Sequence, residues 1–151
     1  MTRRGALALI AGIVEDAPRF RAKSMSGVSF NNETTKGKVI LIQQWATWCQ
    51  YCRRDQAAVN DAVENFANDG LIVLAVNMGE ARRKVERYLA DYPRKGHIVL
   101  MPDTNLGAIF TGRGLPHYAL IDREGKLRKQ QSGAGGPEAL YALLELAGLK
   151  I

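Results

Sequence analysis

An α/β domain built on one central mixed sheet, with helices on both of its faces, is what this sequence predicts, and three observations predict it. Residues 39–42 and Leu71–Asn77 are continuous apolar, β-branched runs, as strands buried on both faces require. Between them Cys52, Val59, Val63 and Phe66 recur at helical spacing, which makes strand, helix and strand a right-handed βαβ unit with parallel strands. Further on, His117–Ile121 and residues 126–131 flank Asp122-Arg123-Glu124-Gly125 and read as an antiparallel hairpin, so the sheet is mixed.

The elements follow in order. Residues 26–30 form a short strand after a turn, and residues 31–38 form a polar connector ending in Gly37. The strand at 39–42 leads into the helix after Cys49, which Asp69-Gly70 ends, and Leu71–Asn77 is the next strand. A second amphipathic helix spans about residues 80–92, with Ala81, Val85, Tyr88 and Leu89 on its inner face, and stops at Pro93. Residues 97–101 read as a short strand and residues 104–110 as a short helix with Leu106, Ile109 and Phe110 turned inward. After the hairpin, residues 132–136 are a glycine-rich loop. Pro137 then opens a closing helix whose stripe is Leu140, Leu143, Leu144 and Ala147.

Composition bounds the function. The 151 residues make one domain, and 46% hydrophobic with 24% charged residues is ordinary for a globular protein. The 21 Lys and Arg against 15 Asp and Glu leave a net charge of +6. They are scattered, with no basic run interleaved with aromatics, so a preference for acidic partners or anionic surfaces is expected and nucleic-acid binding is not. Residues 1–14 have two readings, a signal-like segment with Arg3-Arg4 before a short apolar run, or an N-terminal segment covering the sheet. The run is too short to cross a bilayer as a helix.

The chemistry is concentrated at residues 41–55. Cys49 and Cys52 are the only cysteines, two residues apart at a strand-to-helix junction. The unpaired N–H groups and positive end of a helix stabilise a thiolate in its first turn, so Cys49 is expected as the exposed, low-pKa nucleophile and Cys52 as the shielded resolving thiol. Half of a zinc site is the other reading of such a pair, but His97 and His117 are not in a ligand-pair spacing. The loop Gly133-Ala134-Gly135-Gly136 lacks the residues that make a phosphate-binding motif.

Residues 45–52, Trp-Ala-Thr-Trp-Cys-Gln-Tyr-Cys, resemble the WATWCxxC signature of thioredoxin-like proteins, in particular the extracytoplasmic thiol:disulfide reductases of the TlpA/ResA type. Ala17-Pro18-Arg19-Phe20 is similar to that family's APxF opening and residues 36–42 to its KGKxVLxx strand. Gly114-Leu115-Pro116 and residues 119–125 are similar to its GxPxxxLIDxxG segment. The match covers residues 17–149.

The resemblance implies a thioredoxin-like fold over residues 15–151 and thiol:disulfide oxidoreduction on protein disulfides, in the reducing direction and without a cofactor. It further implies a periplasmic or extracytoplasmic place, free or anchored at the membrane and linked to cytochrome c maturation, a membrane-embedded dithiol reductant, and a monomer. A disulfide oxidase or isomerase, or a metal or haem-pathway chaperone using the two sulfurs as ligands, are the rival functions.

For the site, the resemblance implies that Trp48 flanks the thiol and meets partners, with core packing as its other reading, and that Trp45 belongs to the core. It also implies a cis peptide before Pro116, with Pro116 against the CxxC and the Leu115 backbone open to an extended substrate. Asp55 matches a family Glu that tunes the thiols, or is an acid favoured by the helix dipole. Three features depart from the family pattern. Gln43 stands where thioredoxins proper carry a buried Asp, and Gln56-Ala57-Ala58 follows Asp55 where the family commonly has a kinking proline a little further along the helix, so the usual kink is expected to be missing. His117 replaces a threonine, either as a charge beside the thiols or as a strand residue pointing away.

Overall fold

The structure, a computed structural model, describes residues 14–151. In chain order the elements are β1 (Arg21–Ser24), β2 (Ser29–Asn31), β3 (Val39–Trp45), α1 (Gln50–Asn65), β4 (Leu71–Asn77), α2 (Arg82–Asp91), β5 (His97–Thr104), α3 (Leu106–Ile109), β6 (His117–Ile121), β7 (Leu127–Ser132) and α4 (Gly136–Glu145). The seven strands form one mixed sheet in the order β2-β1-β5-β4-β3-β6-β7. The strands β3, β4 and β5 run parallel, and β6 pairs antiparallel to the other edge of β3. This is the expected α/β architecture, with its helices unequally shared between the faces.

The sharing follows from the alternation of side chains along β3. Val39 and Leu41 enter a core with Val73, Tyr118 and Leu120 beneath α1 and α4. Trp45, Ala75, Ile98 and Leu100 continue that face under α2, together with Cys49 and Cys52. Ile40 and Ile42 point to the opposite face, where Phe20, Leu106 and Phe110 cover them and α3 is the only helix among the described residues. Covered on both faces and paired on both edges, every residue of β3 is buried.

Several predicted boundaries move. The main strand extends beyond residue 42 to Trp45, because Gln43 and Gln44 find buried hydrogen-bond partners. The strand β1 was missed. It alternates exposed and buried residues, but Arg21 and Lys23 mask a pattern carried only by Ala22 and Ser24. The predicted strand at 26–30 is displaced to Ser29–Asn31, which pairs with β1. The strand expected at 97–101 continues through Pro102 to Thr104, so the following helix shrinks to Leu106–Ile109. The helix α2 begins two residues later than expected, and Ala81 is exposed at its N-cap rather than on the inner face. Without the family's proline, α1 runs continuously from Gln50 to Asn65, through Gln56.

Residues 14–17 close the domain against the hairpin turn. Glu15 and Gly125 carbonyls accept from Leu127 and Ala17, and Lys126 pairs with Asp16. The N-terminal residues 1–13, on which the signal-like and covering readings both turn, lie outside the described residues. Among the described residues no helix is long and apolar enough to cross a membrane.

Candidate active site

The site lies at the carboxyl ends of β3 and β4. The chain leaves β3 at Trp45, turns through residues 46–48 and enters α1 at Gln50. Cys49 is the N-cap of that helix, in extended backbone geometry, and its Sγ accepts the Cys52 N–H at 3.1 Å. It thereby satisfies one of the donors that a helix N-terminus leaves unpaired. Cys49 and Cys52 are joined as a disulfide with their Cα atoms 5.3 Å apart, and the chain has no other cysteine. Cys52 is fully buried and Cys49 retains 3% of its surface. The expectation of an exposed Cys49 is therefore corrected for the disulfide form: the sulfur is tied to Cys52 within an apolar cluster against which Leu115 also packs.

A buried carboxylate holds the loop that presents the disulfide. Glu80 follows β4, and its side chain, 7% exposed, accepts the Thr47 N–H at 2.7 Å, the Thr47 hydroxyl at 2.5 Å and an Asn77 N–H at 2.8 Å. Lys84 lies 3.1 Å away. Burial by itself disfavours the Glu80 charge, but the bonds from Thr47, Asn77 and Lys84 outweigh it and bring its pKa down to about 2. Sequence reasoning missed Glu80. Its one signal was an acid in a short loop just past a buried strand, where the side chains around an α/β site gather.

On the face that α1 covers, a chain of hydrogen bonds runs along the sheet. Tyr118 donates to Asp55 Oδ2 at 2.8 Å, Gln43 Nε2 donates to the Tyr118 oxygen at 3.0 Å, and Arg94 Nη1 donates to Gln43 Oε1 at 2.6 Å. The backbone N–H of Gly136 closes the far end on Asp55 Oδ1 at 3.2 Å. Asp55 is 1% exposed. The bland reading of it, an acid favoured by the dipole of the first turn, gives way to a buried acceptor one turn further along α1. Burial, and then the neighbouring Asp55 charge, push the Tyr118 hydroxyl well above the usual phenol range, so it remains a neutral donor.

Arg94 was also missed, because nothing in Tyr-Pro-Arg-Lys marks the arginine for burial. Its placement is tertiary. Gln56 Nε2 donates to the Tyr92 and Pro93 carbonyls, and Asn60 binds both the Pro93 carbonyl and the Lys95 N–H, so α1 pins the loop that delivers Arg94. The guanidinium lies 4.1 Å from the Trp45 ring centroid, and burial lowers its pKa to about 10. Its Nε and Nη2 have no hydrogen-bond partner, nor has Trp45 Nε1.

The remaining predicted residues fall on two sides. Trp45 is fully buried, as expected of a core residue, whereas Trp48 is 69% exposed beside the disulfide. The Leu115–Pro116 peptide is cis. Trp48, Arg113 and Leu115 line a groove of about 390 Å³. His117 pairs in register with Gln44, on the sheet face opposite Gln43 and Trp45. Its ring nitrogens bind Ser132 Oγ at 2.9 Å and Gln130 Oε1 at 3.0 Å on β7. Gln44 in turn donates to the Leu106 and Phe110 carbonyls and so fixes the start of the 110–115 loop. No group of three or more His, Cys, Asp or Glu that could hold a metal ion occurs among the described residues.

Comparison with known proteins agrees with this geometry. The Redoxin family profile matches residues 14–144. The thiol-disulfide oxidoreductase ResA of Geobacillus thermodenitrificans is 31% identical over 130 residues, 85% of this chain and 74% of its own length. ResA of Bacillus subtilis is 29% identical over 131 residues, 87% of this chain and 73% of its own. Among solved structures, one assigned to thiol:disulfide interchange protein DsbE of Chlorobium tepidum superposes with a TM-score of 0.76 at 26% identity, over 88% of this chain and 93% of that one.

Proposed function

The chain belongs to the Redoxin family and is a thiol-disulfide oxidoreductase of the ResA type, and from that premise we propose that it reduces protein disulfides, with Cys49 as the attacking thiolate and Cys52 as the resolving thiol. The observation that carries this reading is the seat of Cys49 on the N-terminus of α1, where its sulfur already accepts the Cys52 N–H. In the reduced protein that bond and the helix dipole favour a thiolate on Cys49.

The thiolate attacks one sulfur of the substrate disulfide, a mixed disulfide forms, and the other substrate sulfur leaves as a thiolate. Cys52 then loses its proton and attacks Cys49 Sγ, which closes the internal disulfide and releases the second substrate thiol. Two electrons pass to the substrate, and a second dithiol protein restores the pair. Trp48 and the Leu115 backbone meet the substrate, Pro116 shapes its seat, and Asp55 tunes the buried thiol. The rest of the reading follows the resemblance alone: a thioredoxin-like domain of residues 15–151 acting outside the cytoplasm, association with a membrane-embedded dithiol reductant, and a place in cytochrome c maturation.

Two measurements test it. Cys49→Ser should abolish disulfide reduction, whereas Cys52→Ser should accumulate mixed disulfides on non-reducing gels; equal trapping by both variants would reverse the roles. The reduction potential decides the direction. A value near the thioredoxin figure of about −270 mV supports a reductase, and one near about −120 mV, as in a strong oxidant, overturns it.

A further inference from the structure

The rim of the disulfide is one-sided in charge. The segments that form it, residues 46–54 and 110–117, carry Arg53, Arg54 and Arg113 and no acid. All three arginines are exposed, and none of the ion pairs among the described residues involves them. The nearest acids of the active-site framework are committed elsewhere: Asp55 is buried against Tyr118, and Glu80 is buried against Thr47 and Asn77. The positive end of α1 adds to the same field.

Two of these arginines are also held in place. The Arg53 guanidinium lies 4.3 Å from the Tyr92 ring centroid and 5.6 Å from that of Tyr88, and the Arg54 guanidinium lies 5.0 Å from that of Tyr51. A guanidinium held over a ring has given up much of its rotamer freedom. That of Arg53 also hydrogen-bonds the Tyr88 side chain, and its remaining N–H groups are left for a carboxylate. On the other segment of the rim, Arg113 shares a groove with Trp48 and Leu115. An acidic group that arrives here meets two preorganised donors and no acid on either segment of the rim, so less ordering entropy remains to be lost on binding.

We propose that this rim is a docking surface for acidic polypeptide: the preferred substrate carries its disulfide in an extended segment bearing Asp or Glu, whose carboxylates pair with Arg53 and Arg54 on one segment of the rim and Arg113 on the other while Trp48 covers its apolar stretch. Because the arginines come from two separate segments that both border the disulfide, the surface grips the reacting segment itself, a geometry suited to a polypeptide rather than to a flat anionic bilayer. The proposal rests on the reductase reading for its chemistry, not for its binding.

The test uses the full chain and two synthetic disulfide peptides of one length, identical except that Asp and Glu in the first are Asn and Gln in the second. At low ionic strength kcat/KM should favour the acidic peptide about five- to tenfold, and about 0.5 M salt should erase the preference. The triple variant Arg53→Gln, Arg54→Gln, Arg113→Gln should bring the ratio of the two close to one. Calorimetry with the acidic peptide carrying Ser in place of Cys should show tighter binding than its neutral counterpart, independently of redox chemistry. Equal kcat/KM values, or equal binding of the two Ser peptides, would overturn the proposal. So would binding to vesicles of phosphatidylglycerol in phosphatidylcholine without any preference between the peptides, which would assign the rim to a membrane. Acidic binding without reduction of either peptide would uphold the docking surface and overturn the reductase reading instead.

Discussion

At the residue scale, two buried groups of opposite sign stand at the ends of the hydrogen-bonded chain on the face that α1 covers. Asp55 is three residues after Cys52 and on the same helical face, whereas Arg94 stacks on Trp45 in the cluster that contains both sulfurs. A like charge disfavours a thiolate and an opposite charge favours it. Asp55→Asn should therefore shift the pH profile of thiol alkylation in the reduced protein to lower pH, and Arg94→Met should shift it to higher pH. Arg94→Lys, which keeps the cation, should move it less than Arg94→Met does. Profiles that stay in place would reduce the chain to a scaffold. His117 belongs to a different set of contacts, since its ring is bound to Ser132 and Gln130 on the other face of the sheet. His117→Thr is accordingly expected to leave the alkylation profile unchanged while costing about 1–2 kcal/mol of stability in denaturant titration, because two bonded partners lose their acceptor or donor.

Among the elements, the junction of β3 and α1 depends on a group from the end of β4. Thr47 offers both its N–H and its hydroxyl to Glu80, so one carboxylate clamps the loop that carries Trp48 and Cys49. Glu80 titrates at about 2 in the folded protein. Because that lies below its ordinary value, the unfolded chain takes up the proton first as pH falls. The stabilisation by Glu80 is therefore complete above the ordinary carboxylate pKa and is lost as pH drops towards about 2. After allowance for screening by the adjoining solvent it amounts to about 1–2 kcal/mol. Glu80→Gln should lose that amount at neutral pH, and its stability should fall less steeply between about pH 4.5 and 2 than that of the unaltered protein. Denaturant midpoints across this range check both. Identical pH slopes would show that Glu80 does not act as a buried anion. Kinetics give a second readout, since a loosened loop should lower kcat/KM for a peptide disulfide.

For the whole molecule, the seven-stranded sheet closes at its N-terminal end on the hairpin turn between β6 and β7. Bonds from Ala17 and Leu127 and the Lys126–Asp16 pair tie residues 15–17 to that turn. A chain beginning at Val14 should therefore keep the fold, with a Tm within about 4 °C of the full chain, a shift worth about 1 kcal/mol or less. A fall several times larger would show that residues 1–13 cover the sheet, and would favour that reading over a signal-like segment.

The fold class, the two central strands, the CxxC helix, the hairpin and the closing helix could all be read from residues 39–149, because each rests on local periodicity: continuous apolar runs for β3 and β4, helical spacing for Leu140, Leu143 and Leu144, a glycine-bearing turn at Gly125. The dithiol was equally plain, since two cysteines separated by two residues at a strand-to-helix junction need no distant partner to come together. What could not be read were groups whose role depends on residues far along the chain. Glu80 acts on Thr47 across 33 positions, and Arg94 reaches Gln43 across 51. The strand β1 pairs with β5, where Ala22 meets Thr104 across most of the domain. Asp55 acquires its buried place only when Tyr118 and Gly136 fold over it. A polar side chain carries no sequence mark of burial, because what makes burial tolerable is a hydrogen-bond partner that the sheet and its loops bring to it.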